Sequence, residues 1–233
     1  MEQELQIEIE RKYIELNYQE GWRFLNCYKK NLESNNGIFI ITLNPGARKG
    51  LDYSKQPVFS SEVGCSFLHE EWKSKTQPQF ILFLGLLYKA ISPYSNFNDF
   101  INSILIGYYI PFRSNNFKGL KNQKESIEFG KACWRKIIEK NIDKMRLLIC
   151  IDNITSKSIK QIFKEMDLKE KENIKLETGW GKISTNIYRY KSSNKIITLV
   201  KFPHLGRFKI FGRKGFELLI NKIVDESVKY YKN

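Results

Sequence analysis

The chain has 233 residues, 42% of them hydrophobic and 14% aromatic, enough to bury one sizeable core. Lysine and arginine total 39 against 25 acidic residues, a formal charge of +14 that points to a polyanion partner, most simply nucleic acid. No apolar stretch is long enough to span a bilayer, and Met1-Glu2-Gln3-Glu4 lacks the charged and apolar regions of a secretory signal, so a cytoplasmic protein is expected.

Residues 3–34 read as helical, with Leu5, Ile9, Tyr13, Leu16, Trp22, Leu25 and Tyr28 near one stripe and Ser34-Asn35-Asn36-Gly37 as the stop. Residues 38–44 then form a continuous apolar strand that ends abruptly at Asn44-Pro45-Gly46. A long loop follows to about Pro78. It carries Arg48, Lys49, Tyr53, Phe59 and Phe67, and a loop of that length within a domain is usually functional.

The apolar segment 78–91 is long enough for a buried helix and stops at Ser92-Pro93. A second strand covers 104–110 and exits through Pro111-Phe112-Arg113-Ser114. Residues 124–141 are helical, 145–151 form a third buried strand, and a helix capped near Thr155 or Ser156 follows. Two alternating runs, 185–190 and 195–200, flank Ser192-Ser193-Asn194 as a hairpin or a pair of neighbouring strands. Residues 213–231 form a basic amphipathic terminal helix. Together these elements predict a single α/β domain over 1–233, three-layered (α/β/α) around a mainly parallel sheet, with the N-terminal helical segment 1–36 packed on it.

In a parallel sheet, chemistry gathers at the carboxyl ends of the strands. Three exits carry unusual residues: Asn44-Pro45-Gly46, the run from Tyr108 to Arg113, and Pro203-His204-Leu205-Gly206-Arg207. One of the chain's two histidines falls in this set. The four cysteines, Cys27, Cys65, Cys133 and Cys150, lie far apart and offer neither zinc nor iron–sulfur spacing. Cys27 and Cys150 sit in apolar patterns and read as buried thiols.

With these motifs the chain resembles the uracil-DNA glycosylase superfamily. Asn44-Pro45-Gly46 is similar to the first motif of its mismatch-specific and single-strand-selective branches, Gly-x-Asn-Pro-Gly, with Thr42 at the first glycine. Gly64-Cys65-Ser66-Phe67 is similar to the Gly-x-x-Phe whose ring stacks on the extruded base. Pro203-His204-Leu205-Gly206-Arg207 is similar to the second motif, although the proline precedes the histidine and the usual serine is absent. The resemblance spans roughly 37–211 and implies a DNA glycosylase without a cofactor or a metal.

On that reading Asn44 positions water at the anomeric carbon, and His204 donates a hydrogen bond to the departing base. Phe67 stacks on the flipped base, with Tyr53 and Phe59 as alternatives, while Pro45, Gly46 and Tyr108 line its pocket. Leu205, Arg207 and Phe208 stand where the family places its wedge. Arg207, Lys209, Arg213 and Lys214 hold phosphates on one side, and Arg48 and Lys49 on the other, with Arg113 at the second exit. Uracil-specific relatives place an asparagine where this chain has Tyr108, and a phenol cannot offer an amide's paired donor and acceptor. A different or modified base is then expected, including a bulky modified cytosine of the kind found in some phage DNA, from which a role in defence or in the nucleotide pool would follow.

Each residue also has a plainer reading. Asn44 caps a turn, His204 is a hydrogen-bonded loop histidine, Phe67 is a core ring, Tyr108 fills the sheet edge, and 207–214 is a solvated helix start. A non-cleaving nucleic-acid-binding module and a nucleotide-processing α/β enzyme are the alternatives. Gly179-Trp180-Gly181-Lys182 lacks the upstream glycine and the hydroxyl residue of a phosphate loop. Asp152 ends the third strand without a second carboxylate, and His69-Glu70-Glu71 lacks a second spaced histidine for zinc.

Overall fold

The structure, a computed structural model, describes residues 1–47, 57–70, 76–91 and 96–231. In chain order the elements are α1 (Glu2–Glu15), β1 (Ile38–Thr42), α2 (Ser66–His69), α3 (Thr76–Ile91), α4 (Phe97–Asn102), β2 (Leu105–Tyr108) and α5 (Gln123–Asn141). They continue with β3 (Leu147–Ile151), α6 (Asn153–Glu165), β4 (Lys169–Trp180), β5 (Ile183–Ser192), β6 (Lys195–Phe202) and α7 (Glu217–Val228).

The six strands make one sheet in the order β2-β1-β3-β6-β5-β4. The first four run parallel; β5 is antiparallel to β6, and β4 to β5. Helices cover both faces, giving the expected three-layer α/β/α arrangement. α3 packs on α2, α4 and α7, while α5 and α6 pack together, and α6 lies on β3 and β6. α1 is tied to α5 through Lys136 and Glu8, 2.5 Å apart. Burial on both faces explains why β1, β2 and β3 are apolar runs without alternation: every residue of each is buried.

Four expectations need correction. The N-terminal helix stops at Glu15, because Asn17 and Gly21 adopt positive φ (52° and 73°). From Trp22 to Leu25 the chain is extended and lies beside β2, with Trp22 bridging Phe112, Arg23 bridging Val58 and Leu25 bridging Gly107, before a single 3-10 turn at Lys29–Leu32. Its apolar residues line up as well for this edge as for a helix, so the stripe alone could not separate the two. The last helix starts at Glu217 rather than 213, after Gly212 and Gly215, both at positive φ.

The cap of α6 is Asp152, whose Oδ1 accepts from the Thr155 N–H at 2.9 Å, rather than Thr155 or Ser156. Finally, β4 is a full strand of 12 residues where the sequence suggested only the two strands after it. Its first seven residues are exposed or half-buried, so its charges face water and hide the strand pattern.

Candidate functional site at the carboxyl edge of the sheet

The register puts Tyr108 of β2, Thr42 of β1, Ile151 of β3 and Phe202 of β6 in one transverse row. Asn44 and His204 each follow that row by two residues. β3 separates β1 from β6, so at a strand spacing of ~4.8 Å the two exits stand about 10 Å apart. Asp152 emerges between them.

Asn44 is half-buried and held by the loop that leaves β2. Its Nδ2 donates to Ser114 Oγ at 2.8 Å, with longer contacts to the carbonyls of Pro45 (3.2 Å) and Phe112 (3.5 Å). Ser114 Oγ in turn donates to the Asn116 carbonyl at 2.9 Å, so its lone pairs remain turned toward Asn44. The backbone is clasped as well: Ser114 N–H donates to Pro45 O, Ala47 N–H to Ser114 O, and Arg113 Nη1 to Gly46 O. With Nδ2 engaged, the orientation of the amide is fixed. Among the described residues Oδ1 accepts no hydrogen bond, which leaves a preset acceptor at the strand exit.

Beside β2 lies a polar cluster that sequence patterns did not reveal. Arg23, 6% exposed, makes a two-point contact with Glu70 at 2.7 and 2.6 Å. Ser66 Oγ donates to Asn26 Oδ1 at 2.9 Å. That fixes the Asn26 amide, whose Nδ2 faces the Tyr108 phenol without a partner at normal hydrogen-bond distance among the described residues; Thr42 Oγ1 on the neighbouring strand is likewise without one. Such orphaned groups are costly, about 1–3 kcal/mol each, and are commonest at functional sites. Tyr108 is 6% exposed and faces this cluster; burial pushes its phenol up, against the weaker pulls of Arg23, the Asn26 amide and Arg113, so it stays protonated. A cavity of about 880 Å³ lies alongside, lined by Arg23, Glu70, Arg113, Tyr28, Phe59 and Ser61 among others. Asn44 and His204 do not line it.

At the β6 exit His204 is exposed, and its carbonyl accepts from the N–H groups of Arg207 and Phe208 in a tight turn. The turn sits against the start of α3: a Cβ on Gly206 would fall 2.4 Å from Thr76 Oγ1 and 3.1 Å from His204 Cε1. One residue on, Gln77 Nε2 donates to the carbonyls of Phe67 (2.8 Å) and Glu70 (2.7 Å). The start of α3 thus links the His204 turn to the Arg23–Glu70 cluster. Although its surface is open, the His204 ring is crowded enough that desolvation lowers its pKa, and the nearby Arg207 cation lowers it further. The imidazole is therefore neutral at pH 7 and keeps an N–H donor.

Asp152 has φ 125°, a region that L residues rarely adopt. Both carboxylate oxygens are engaged by Thr155, through its N–H (2.9 Å) and its hydroxyl (2.7 Å). Burial raises its pKa to about 6 despite those bonds.

Several sequence-based assignments change. Phe67 is 2% exposed and stacked on Phe80 (centroids 4.1 Å apart), so it is a core ring and not an open stacking face. Phe59 is likewise buried, against Phe24. Leu205 is wholly buried and is not an exposed wedge. Arg213 is committed internally: it donates to the carbonyls of Thr178 and Gly179, and its guanidinium covers the rings of Phe216 (3.9 Å) and Trp180 (4.6 Å). Arg207, Lys209 and Lys214 are exposed, Phe208 and Arg113 are half-buried, Pro45 is buried and Gly46 exposed. Arg48, Lys49 and Tyr53 lie outside the described residues.

The four cysteines are free and buried, and burial pushes the thiols of Cys27, Cys65 and Cys133 up to about 12, away from metal-binding or nucleophilic chemistry. Among the described residues no group of three or more His, Cys, Asp or Glu is placed to hold a metal, and no helix is long and apolar enough to cross a membrane. No protein-family model, curated protein or solved structure matches the chain.

Proposed function

We propose that the protein is a DNA glycosylase that hydrolyses the N-glycosidic bond of an extruded, non-uracil base. The observation that carries this reading is Asn44. Its Nδ2 is tied to Ser114, and its Oδ1 accepts no hydrogen bond among the described residues, two residues past the strand row that also leads to His204.

A carboxamide is too weak a base to take a proton, but Oδ1 can accept a hydrogen bond from water and aim its lone pair at the anomeric carbon. As the carbon–nitrogen bond breaks, positive charge grows on the sugar and negative charge on the base. Water adds to the sugar and loses its proton to solvent; the base departs as an anion. The neutral His204 ring supplies an N–H donor to that anion, and a donor of this kind is worth about 10²–10³ in rate. The excess of cations suits a polyanion substrate.

A second reading has its own support. The burial of Phe67 and Leu205 removes two parts of the extrusion machinery that the resemblance implies, which favours a module that binds DNA without cleaving it. Incubation with duplex and single-stranded DNAs carrying unmodified, deaminated and modified bases separates the two. Abasic sites formed by the native protein and lost in Asn44→Ala, with DNA binding retained, support the glycosylase. Salt-sensitive binding with no base released from any substrate supports the binding module.

A further inference from the structure

β4 and β6 both run antiparallel to β5, so the end of β4 emerges on the same edge of the sheet as His204. Trp180 closes β4 there, paired with Ile183 across the hairpin. It is 40% exposed, whereas Trp22 and Trp134 are 2% and 0% exposed. An indole left open to water forfeits the burial that usually stabilises it.

This ring is nevertheless fixed. Its Nε1 donates to the Lys209 carbonyl at 2.8 Å, and Phe208 meets it edge-on at 6.2 Å. Arg213 covers it at 4.6 Å while anchored to the Thr178 and Gly179 carbonyls and sandwiched by Phe216. The approach to Phe216 requires glycine at 179: φ is +75° and a Cβ would lie 2.2 Å from the Phe216 ring. The whole assembly holds one exposed aromatic side chain in one orientation, so little rotamer entropy remains to be lost on binding. Among the described residues within three positions of Trp180, Phe208 and Phe216 along the chain, the exposed cations Lys182, Arg207, Lys209 and Lys214 outnumber the exposed acids Glu177 and Glu217.

We propose that Trp180 is a stacking platform for an unpaired base of DNA, next to the His204 exit. A rigid exposed ring flanked by cations matches the chemistry of single-stranded nucleic acid, whose bases stack while its phosphates meet lysine and arginine. The proposal rests on DNA being the polyanion that this edge receives, but not on base cleavage.

Binding of the full chain to two fluorescent single-stranded DNA oligomers of equal length tests it. One oligomer carries bases; the other has the same sugar-phosphate backbone with abasic residues throughout. Trp180→Ala is expected to weaken binding to the base-bearing oligomer at least about fivefold, leaving the abasic one within about twofold. Trp180→Phe, which keeps a ring but loses the Lys209 contact, is expected to retain most of the affinity. Equal losses on both oligomers, a phenylalanine variant as weak as the alanine one, or no binding of either oligomer by the native protein would each overturn the proposal. Failure to release any base in the glycosylase assay would overturn the catalytic reading alone, because the readout here is binding.

Discussion

Two helical glycines offer a matched test of how the β2 exit is braced. Gly130 of α5 sits against β2, where a Cβ would lie 2.3 Å from the Tyr109 carbonyl oxygen and 3.1 Å from its ring. Gly85 of α3 has nothing within 4 Å of the same added atom. Alanine gains about 1 kcal/mol over glycine in a helix, so propensity alone would stabilise both variants. At 130 the contact must open to the ordinary 3.4 Å, so helix and strand separate by about 1 Å. Overpacking of that kind costs about 1–3 kcal/mol. The same shift pulls on the buried bond from Trp134 Nε1 to the Tyr108 carbonyl (2.9 Å), and a stranded indole N–H costs about 1–3 kcal/mol more.

The steric and polar costs exceed the propensity gain. Gly130→Ala is expected to lose about 3 kcal/mol, a fall of about 6–12 °C in Tm for a chain of this size. Gly85→Ala is expected to rise by about 2–4 °C. Thermal melts followed by circular dichroism measure both. A Gly130→Ala protein as stable as the native one, or two variants shifted alike, would refute this account of how α5 holds Tyr108 and Tyr109 in place.

Ser114→Ala removes the acceptor that fixes Asn44. Base release is expected to slow about 10- to 100-fold with unchanged DNA affinity, as measured by single-turnover kinetics and anisotropy; an unchanged rate would mean that Asn44 needs no such brace. Asp152 has a pKa raised from 3.8 to about 6, so protonation favours the folded state and this contribution fades as pH climbs through 6. Asp152→Asn, which keeps an acceptor for the Thr155 N–H, should therefore gain on the native protein by up to about 3 kcal/mol between pH 4 and 7. Urea denaturation across that range would show a pH-independent difference if the burial argument is wrong.

Much of the fold was legible in the sequence, because uninterrupted apolar runs such as 38–42 and 147–151 have few other uses than strands buried on both faces. The strand exits followed from those runs, which is how Asn44 and His204 came to share a row. Composition could not separate an exposed aromatic from a core one: Phe67 packs on Phe80, while Trp180, in a motif that fails as a phosphate loop, is the ring left in water. Arg23 and Asn26 were hidden for a related reason. They interrupt an apolar segment that reads as helix, and only its pairing with β2 turns those polar side chains toward Tyr108. Their departure from the surrounding apolar pattern was the available signal.

The central claim concerns Asn44 and is tested by mass spectrometry of bases freed from diverse genomic DNAs, phage DNAs with modified cytosine included. The native protein is expected to release one class of base and leave abasic sites, and Asn44→Ala to release none while binding the same DNA. Equal release by the two proteins would contradict the role given to Asn44, and no release by the native protein from any of these DNAs would contradict the glycosylase itself.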